Sequence, residues 1–176
     1  MKFKLIPAFL LLLALTTFAQ GDSDNEIAAK AEFLINLSQN VEWTAGGGPD
    51  DSGPVVICVV GSSPLVPQLK ELAAREASKG QKYEIKEVAI SDDLFGCHIL
   101  FLPTHELAQL AKVLKKVSGT SSLTVSDAKD FARYGVMVNF FKEEGKPKVK
   151  AEVNTMVMQE AGIKLSDKLM KQVVTI

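Results

Sequence analysis

The chain has 176 residues and an almost balanced charge, with 20 lysines and arginines against 21 aspartates and glutamates. A formal net charge of −1 gives no electrostatic reason to expect nucleic acid or an anionic membrane as a partner. The length suits one domain with a single hydrophobic core, and we expect no direct membrane insertion.

The N-terminus has the pattern of a cleaved secretory signal peptide. Lys2 and Lys4 precede an apolar run at residues 5–15, and small residues follow at the position that a signal peptidase recognises. Cleavage after Ala19 leaves one domain over residues 20–176 with a net charge of −3. An uncleaved anchor is the alternative, although the apolar run is short for a membrane span. We therefore predict an exported, soluble protein.

A helix is predicted to open the domain. Ser23 and Glu26 have the spacing of a capping box, and apolar residues then recur at helical intervals as far as Trp43. Trp43 is the only tryptophan, and it has two interpretations: a lid over the core, or an exposed anchor for a partner. We favour the lid because most tryptophans are largely buried. An irregular loop is predicted over residues 46–54.

Two continuous apolar runs, at residues 55–60 and 98–102, predict the centre of a sheet. Neither run alternates apolar with polar residues, so each must be covered on both faces, as in the parallel sheets of α/β proteins. An alternating run at residues 83–88 predicts a strand near the edge. An amphipathic helix is predicted after each central strand, and the second one covers residues 105–117. Its expected buried stripe consists of Leu107, Leu110, Ala111 and Leu114.

The C-terminal half is predicted to complete the sheet. A short strand at residues 123–125 precedes a helical turn, and runs at residues 136–141 and 149–153 form an antiparallel hairpin at one edge. Asn154 caps a further helix, and Ser166 begins a last amphipathic helix. The fold class is therefore α/β: a single-domain layered sandwich with a mixed, mostly parallel sheet, an antiparallel edge hairpin and helices on both faces.

No sequence motif indicates an enzyme. The chain has no G-x-S-x-G, H-E-x-x-H, Walker A or G-x-G-x-x-G pattern. His98 and His105 flank one predicted strand and would lie about 20 Å or more apart, which is too far to share a metal ion. We therefore expect no catalytic residue, no metal site and no cofactor.

One group of polar residues is a candidate ligand crevice. Ser62 and Ser63 follow one predicted strand, and Ser126 and Asp127 follow another. In open α/β sheets, ligands bind outside the carboxyl ends of the strands, where backbone N–H groups point outward. A small anion or polar ligand would suit this place. Serine and aspartate are also the usual helix-capping residues, and we favour the capping role.

The two cysteines, Cys58 and Cys97, are a candidate disulfide. An even number of cysteines in an exported chain favours a bridge, and closing this loop would stabilise the fold by about 4 kcal/mol on the chain-entropy estimate. Both cysteines also lie in or beside apolar strands, so the alternative is that they are small buried hydrophobic residues.

Several segments of the chain together resemble the YfiR-like family of periplasmic proteins. Their order and spacing extend from residue 28 to residue 174, which is nearly the whole domain. The segments are Ala31-Glu32-Phe33-Leu34, Val41-Glu42-Trp43, Cys97-His98-Ile99-Leu100-Phe101, Leu123-Thr124-Val125-Ser126-Asp127, the spaced residues Phe131, Gly135 and Asn139, and the tail Ala161-Gly162-Ile163-Lys164-Leu165-Ser166 with Lys168-Leu169.

The resemblance implies a function that composition does not show. It implies a non-enzymatic periplasmic regulator that binds and restrains the periplasmic sensor domain of an inner-membrane signalling protein, typically a diguanylate cyclase that makes cyclic di-GMP. A sensor kinase is the other candidate partner, and a homodimer is compatible with this role. We expect apolar contacts through Trp43, Leu169 and Val173. The alternatives are a periplasmic protein that binds a small ligand in the crevice and, less favoured, a hydrolase or transferase with an unrecognised site.

Overall fold

The computed structural model describes residues 23–144, 146 and 148–176, so the predicted signal peptide lies outside the described residues. A 3₁₀ turn at Phe131–Tyr134 accompanies the helices and strands. The helices are α1 (Asp24–Gln39), α2 (Leu65–Ala77), α3 (Leu107–Val117), α4 (Thr155–Glu160) and α5 (Asp167–Met170). The strands are β1 (Val41–Trp43), β2 (Val55–Val60), β3 (Tyr83–Val88), β4 (Ile99–Leu102), β5 (Leu123–Ser126), β6 (Val138–Lys142), β7 (Val149–Val153), β8 (Ile163–Leu165) and β9 (Val174–Thr175).

A seven-stranded sheet forms the centre of the molecule, in the order β3-β2-β4-β5-β6-β7-β9. The first five strands in this order, from β3 through β2 to β6, run parallel to one another. β7 runs antiparallel to β6, and β9 pairs parallel with β7. Every residue of β2 and β4 is buried, as their continuous apolar runs predict, and the alternating strand β3 lies at an edge. The predicted α/β class and mixed, mostly parallel sheet are confirmed.

Helices cover both faces of this sheet. On one face, Leu34 of α1 and Leu69 of α2 pack with Phe101 in the main core. On the other face, Val113 of α3 packs with Leu100 in a second core. Burying one such side chain is favourable by about 1.5–3 kcal/mol, so the central strands stabilise the fold from both sides.

The first helix is shorter than predicted. It ends at Gln39, and the residues that follow form β1, which pairs antiparallel with β8 in a separate two-stranded sheet. Asn40 ends the helix with a non-helical backbone, and its carbonyl oxygen accepts a hydrogen bond from the N–H of Ser166 at 2.8 Å. The partner strand of β1 comes from the far end of the chain, so local periodicity did not reveal it.

The buried face of α3 also differs from the prediction. Leu110 is buried as expected, but Leu107 is 50% exposed and Ala111 is exposed. Val113 and Val117, which the predicted stripe did not include, are also buried and pack in the second core. The predicted stripe is therefore correct at Leu110 and at Leu114, which is partly buried against the same cluster, and wrong at Leu107 and Ala111.

The C-terminal segment contains an unpredicted strand. Ser166 caps α5 as expected, with its hydroxyl accepting from the N–H of Leu169, but α5 makes only one turn. The chain then extends into β9, which pairs with β7, so the hairpin of β6 and β7 is not at the edge of the sheet. The β-branched run at residues 173–175 favours this extended conformation over the predicted helix.

Candidate functional site

A cleft of about 410 Å³ opens at the carboxyl ends of the parallel strands. Three of the four predicted crevice residues, Ser62, Ser63 and Asp127, line this cleft. Ser126 does not, because its side chain is fully buried and its hydroxyl donates to the carbonyl of Leu102 at 2.8 Å. The other polar residues of the lining are Glu26, Lys30, His105 and Lys142.

The amino end of α2 offers this cleft few hydrogen-bond donors. Ser63 accepts hydrogen bonds from the N–H of Leu65 through its hydroxyl and from the N–H of Val66 through its carbonyl. Pro64 and Pro67 have no N–H group. The donors that normally attract an anion at a helix start are therefore either absent or already bonded, and Ser63 supports the helix start from one residue before its N-cap, Pro64.

The helical turn predicted after β5 is present as the 3₁₀ turn, but it begins at Phe131, so Ser126 and Asp127 do not cap it. The hydroxyl of Ser126 accepts from the N–H of Ala128 and thereby shapes a loop that leads into the 3₁₀ turn. A regular α-helix does not form here, because Asp130 takes a left-handed conformation with φ of 64°. Asp127 is thus free to project into the cleft instead of capping a helix.

Four charged residues form the charged cluster of the cleft: Glu26, Lys30, Asp127 and Lys142. Lys30 is 4% exposed, and its Nζ lies 3.1 Å from Glu26 Oε1 and 2.8 Å from Asp127 Oδ2. Lys142 of β6 contacts the second oxygen of Glu26. The cluster joins α1, the loop after β5, and β6. The charged cluster was not predicted, although the i, i+4 spacing of Glu26 and Lys30 already indicated that these two side chains could pair on α1.

The charged cluster has equal numbers of positive and negative groups. Its charges neutralise one another, so it provides no net attraction for an ion from solution. Asp127 Oδ1 is buried and has no hydrogen-bond partner among the described residues. No hydrogen bond joins His105 to Ser62 or Ser63 in the described part of the chain.

Metal-binding and membrane-spanning features are absent from the described residues. No group of three His, Cys, Asp or Glu side chains within residues 23–144, 146 and 148–176 is placed to hold a metal ion. No described helix combines the length and apolar character that crossing a bilayer requires.

Cys58 and Cys97 are joined by a disulfide, with their Cα atoms 5.7 Å apart. Cys58 lies in β2, and Cys97 stands just before β4, its neighbour in the sheet. Both sulfur atoms also lie in the second core, so the bridge and the hydrophobic burial occur together.

The predicted partner contacts are less exposed than expected. Leu169 is 1% exposed and belongs to the main core, and Val173 is half-buried against it. Trp43 is half-buried, and its Nε1 donates to the carbonyl of Ser121 at 2.9 Å. A side chain on Gly48 would meet the ring of Trp43 at 3.0 Å, so the glycine-rich loop closes over the tryptophan. This position is intermediate between the lid and the exposed anchor.

Phe95 is a more exposed apolar residue that the sequence analysis did not identify. Its side chain is 84% exposed, while the neighbouring Leu94 is buried and Cys97 is held by the disulfide. We call residues 89–97 the Phe95 loop. The loop is braced from within, since the carboxylate of Asp93 accepts from the N–H of Phe95 at 2.9 Å.

Two further contacts brace the Phe95 loop. The carboxylate of Asp92 accepts from the N–H of Ala89 at 2.8 Å, and Lys116 of α3 donates to the carbonyl of Asp92 at 2.8 Å. A cleft of about 330 Å³ separates the loop from the end of α3. The exposed aromatic ring of Phe95 therefore stands on a loop held by three hydrogen bonds and the disulfide.

Two asparagines hold the long loop that follows β5. Asn139 donates to the carbonyl of Ala128 at 3.0 Å and to the carboxylate of Glu152 at 3.2 Å. Asn154 donates to the carbonyl of Ala132 at 2.9 Å. Asn139, one of the spaced residues named above, thus holds this loop together with Asn154.

These features define the class of the protein: a small mixed α/β sandwich with a polar cleft at the carboxyl ends of its parallel strands. The chain belongs to the YfiR/HmsC-like family, because the model of that family matches residues 27–172. Members of this family are periplasmic regulators rather than enzymes. The predicted relationship to YfiR-like proteins is confirmed.

A solved structure shows a similar fold. It is the ABC domain from Streptococcus pneumonia in complex with L-Trp, with 15% sequence identity and a TM-score of 0.53. The match covers 85% of this chain and 62% of that chain, so this chain spans less than two thirds of its length. At this identity the similarity concerns the fold alone. No curated protein matches the chain.

Proposed function

We propose that this protein is a non-enzymatic periplasmic regulator that binds and restrains the periplasmic sensor domain of an inner-membrane diguanylate cyclase, and so controls cyclic di-GMP. Family membership supports the regulatory role and the compartment. A sensor kinase is the alternative partner, and self-association into a homodimer is compatible with this function. Because the charge is nearly balanced, affinity must come mainly from apolar contacts rather than from long-range attraction.

The observation that carries this proposal is the exposure of Phe95 on a braced loop. Burying a phenylalanine side chain is favourable by about 1.5–3 kcal/mol, and aromatic anchors dominate many protein interfaces. The disulfide at Cys97 and the hydrogen bond to Asp93 already order the loop, so binding costs little conformational entropy. We therefore propose Phe95 as the central contact, with Trp43 and Val173 as lesser candidates.

The surroundings of Phe95 suggest the character of the partner pocket. Asp92 and Asp93 are exposed beside the ring and contribute negative charge. We expect an apolar pocket with lysine or arginine at its rim, because opposite charges around an apolar contact favour correct docking.

Binding of the purified mature protein to the purified periplasmic domains of the parent cell's membrane-bound cyclases tests this proposal. Phe95→Ser is expected to weaken binding by about 30-fold, which corresponds to a loss of about 2 kcal/mol. Met156→Ser is the matched control, since Met156 is 68% exposed on α4. Both variants must keep the wild-type melting curve.

Two negative results have different meanings. Wild-type affinity in a folded Phe95→Ser variant would show that the contact lies elsewhere and would leave the regulatory role standing. If the wild-type protein bound no cyclase or kinase domain, and deletion of its gene changed neither cyclic di-GMP nor a kinase output, the regulatory role itself would be rejected.

A second candidate function is binding of a small polar ligand in the cleft. The supporting observation is the charged cluster, where Lys30 is buried between two carboxylates at a place where α/β proteins bind ligands. Native mass spectrometry of the purified protein is expected to show a bound small molecule that Lys30→Met and Asp127→Asn both remove. The result against this function is a wild-type protein that carries no bound molecule, either as purified or after incubation with periplasmic extract.

A further inference from the structure

His98 joins the amino ends of three strands. Its N–H donates to the carbonyl of Val56 at 3.0 Å, and its carbonyl accepts from the N–H of Leu123 at 2.9 Å. Its side chain adds a third bond, in which Nδ1 accepts from the N–H of Val56 at 2.9 Å. A backbone N–H can only donate, so this third bond exists only while Nδ1 carries no proton.

The ring of His98 also contacts Trp43. The two rings meet edge to face, with their centroids 6.2 Å apart and their planes at 70°. Trp43 is otherwise held by its hydrogen bond to Ser121 and covered by Gly48. The position of the tryptophan and of the loop at residues 44–54 therefore depends partly on the histidine ring.

Two charged residues act on this ring in opposite directions. Burial lowers the pKa of His98 below its ordinary value of 6.5, the negative charge of Asp50 opposes this effect, and the positive charge of Lys86 adds to it. Asp50 lies in the loop that covers Trp43, and Lys86 lies in the edge strand β3. Asp50 thus contributes a negative charge that favours the protonated imidazole.

We propose that His98 is a pH-sensitive contact with two hydrogen-bonding states. In the neutral state Nδ1 accepts from Val56 and the ring supports Trp43. In the protonated state Nδ1 can no longer accept, and the imidazolium turns toward Asp50. This exchange releases the start of β2 and shifts the loop that covers Trp43.

The sign of the pH effect follows from the direction of the pKa shift. The unfolded histidine takes up a proton near pH 6.5, whereas the folded one does so only at lower pH. Stability from the neutral ring is therefore complete above pH 6.5 and is lost as the pH falls through the pKa of the folded state. We therefore expect the protonation of His98 in the folded protein to occur at mildly acidic pH.

The single tryptophan makes the test direct. In the mature wild-type protein, the emission of Trp43 is expected to change in one step centred below pH 6.5, because a protonated histidine beside an indole alters its fluorescence. His98→Asn should abolish this step. His105→Asn is the matched control, since His105 is the only other histidine, and it should leave the step unchanged. Asp50→Asn should move the midpoint to still lower pH.

NMR of the unmodified protein provides an independent measurement if a variant fails to fold. Protonation of the His98 ring and loss of protection at the Val56 amide are expected to share one midpoint, with protection falling about tenfold, the scale of one lost hydrogen bond. The proposal is overturned if the ring titrates without any change at Val56 and Trp43. It is overturned equally if the ring does not titrate before the protein unfolds in acid.

Discussion

Lys30 lies between two carboxylates in the cleft and is almost completely buried. Removing one member of a buried ion pair leaves the other charges without compensation. Lys30→Met is therefore expected to lower the free energy of unfolding by about 3–5 kcal/mol, measured by urea denaturation at neutral pH.

Lys142→Met is the matched control for this prediction. Lys142 contacts the same Glu26, but its side chain is 46% exposed, so water replaces the lost interaction. We expect a change of less than about 1 kcal/mol. Equal effects of the two substitutions would show that the burial of Lys30 is not what makes the charged cluster important.

Glu143 provides a second prediction at the scale of single residues. Hydrogen bonds from Lys146 and then Lys150 lower its pKa from 4.5 to about 2. The unfolded carboxyl takes up a proton near pH 4.5, so the contribution of Glu143 to stability is present above that pH and is lost between pH 4.5 and about 2. NMR titration should show a strongly depressed pKa that rises in Lys146→Ala and moves toward its ordinary value in high salt. A salt-independent pKa would contradict the exposed character of these pairs.

At the scale of elements, the disulfide links β2 to the segment just before β4, its neighbour in the sheet. Native disulfides in small exported domains typically contribute about 2–5 kcal/mol. The Cys58→Ala/Cys97→Ala double variant, like the chemically reduced protein, is expected to melt at a lower temperature by calorimetry. Titration of two free thiols in the unfolded, non-reduced protein would contradict the bridge.

The turn between α4 and β8 depends on Gly162. Its φ is 66°, and an added Cβ would lie 2.3 Å from the Cβ of Ala45, next to β1. Gly80 is the matched control, with φ of 91° and no atom within 4 Å of an added Cβ. Both substitutions to alanine incur the cost of a positive φ, about 1 kcal/mol. Gly162→Ala should be clearly more destabilising by thermal denaturation, because it also forces β1 and β8 apart. Equal losses would mean that the loop at Ala45 moves without cost.

At the scale of the whole molecule, the prediction concerns the exported form. We propose that the domain at residues 20–176 is released by cleavage after Ala19, because the charged and apolar pattern before it is typical of a signal peptide. N-terminal sequencing of the protein recovered from the periplasm is expected to begin at Gln20. A sequence that begins at Met1 would be incompatible with cleavage.

The amino-acid sequence alone determined the centre of this fold. The two continuous apolar runs form β2 and β4, and the alternating run forms the edge strand β3. A strand buried on both faces needs apolar residues throughout, whereas a strand buried on one face needs them only at alternate positions, so both kinds can be recognised from local sequence. The caps at Ser23, Asn154 and Ser166 were equally local, since each depends on an N–H three residues away. The order of short motifs was sufficient to indicate the family.

The tertiary structure decided what depends on distant partners. β1 and β8 pair across almost the whole domain, and β9 pairs with β7, so the local sequence of either segment does not indicate which strand it pairs with. Lys30 of α1 and Asp127 after β5 meet although they are 97 residues apart in the chain, and Phe95 is exposed in a loop that is held at Cys97 and Asp93. Burial and exposure of such residues are properties of packing between elements, whereas local sequence reports only on the element itself.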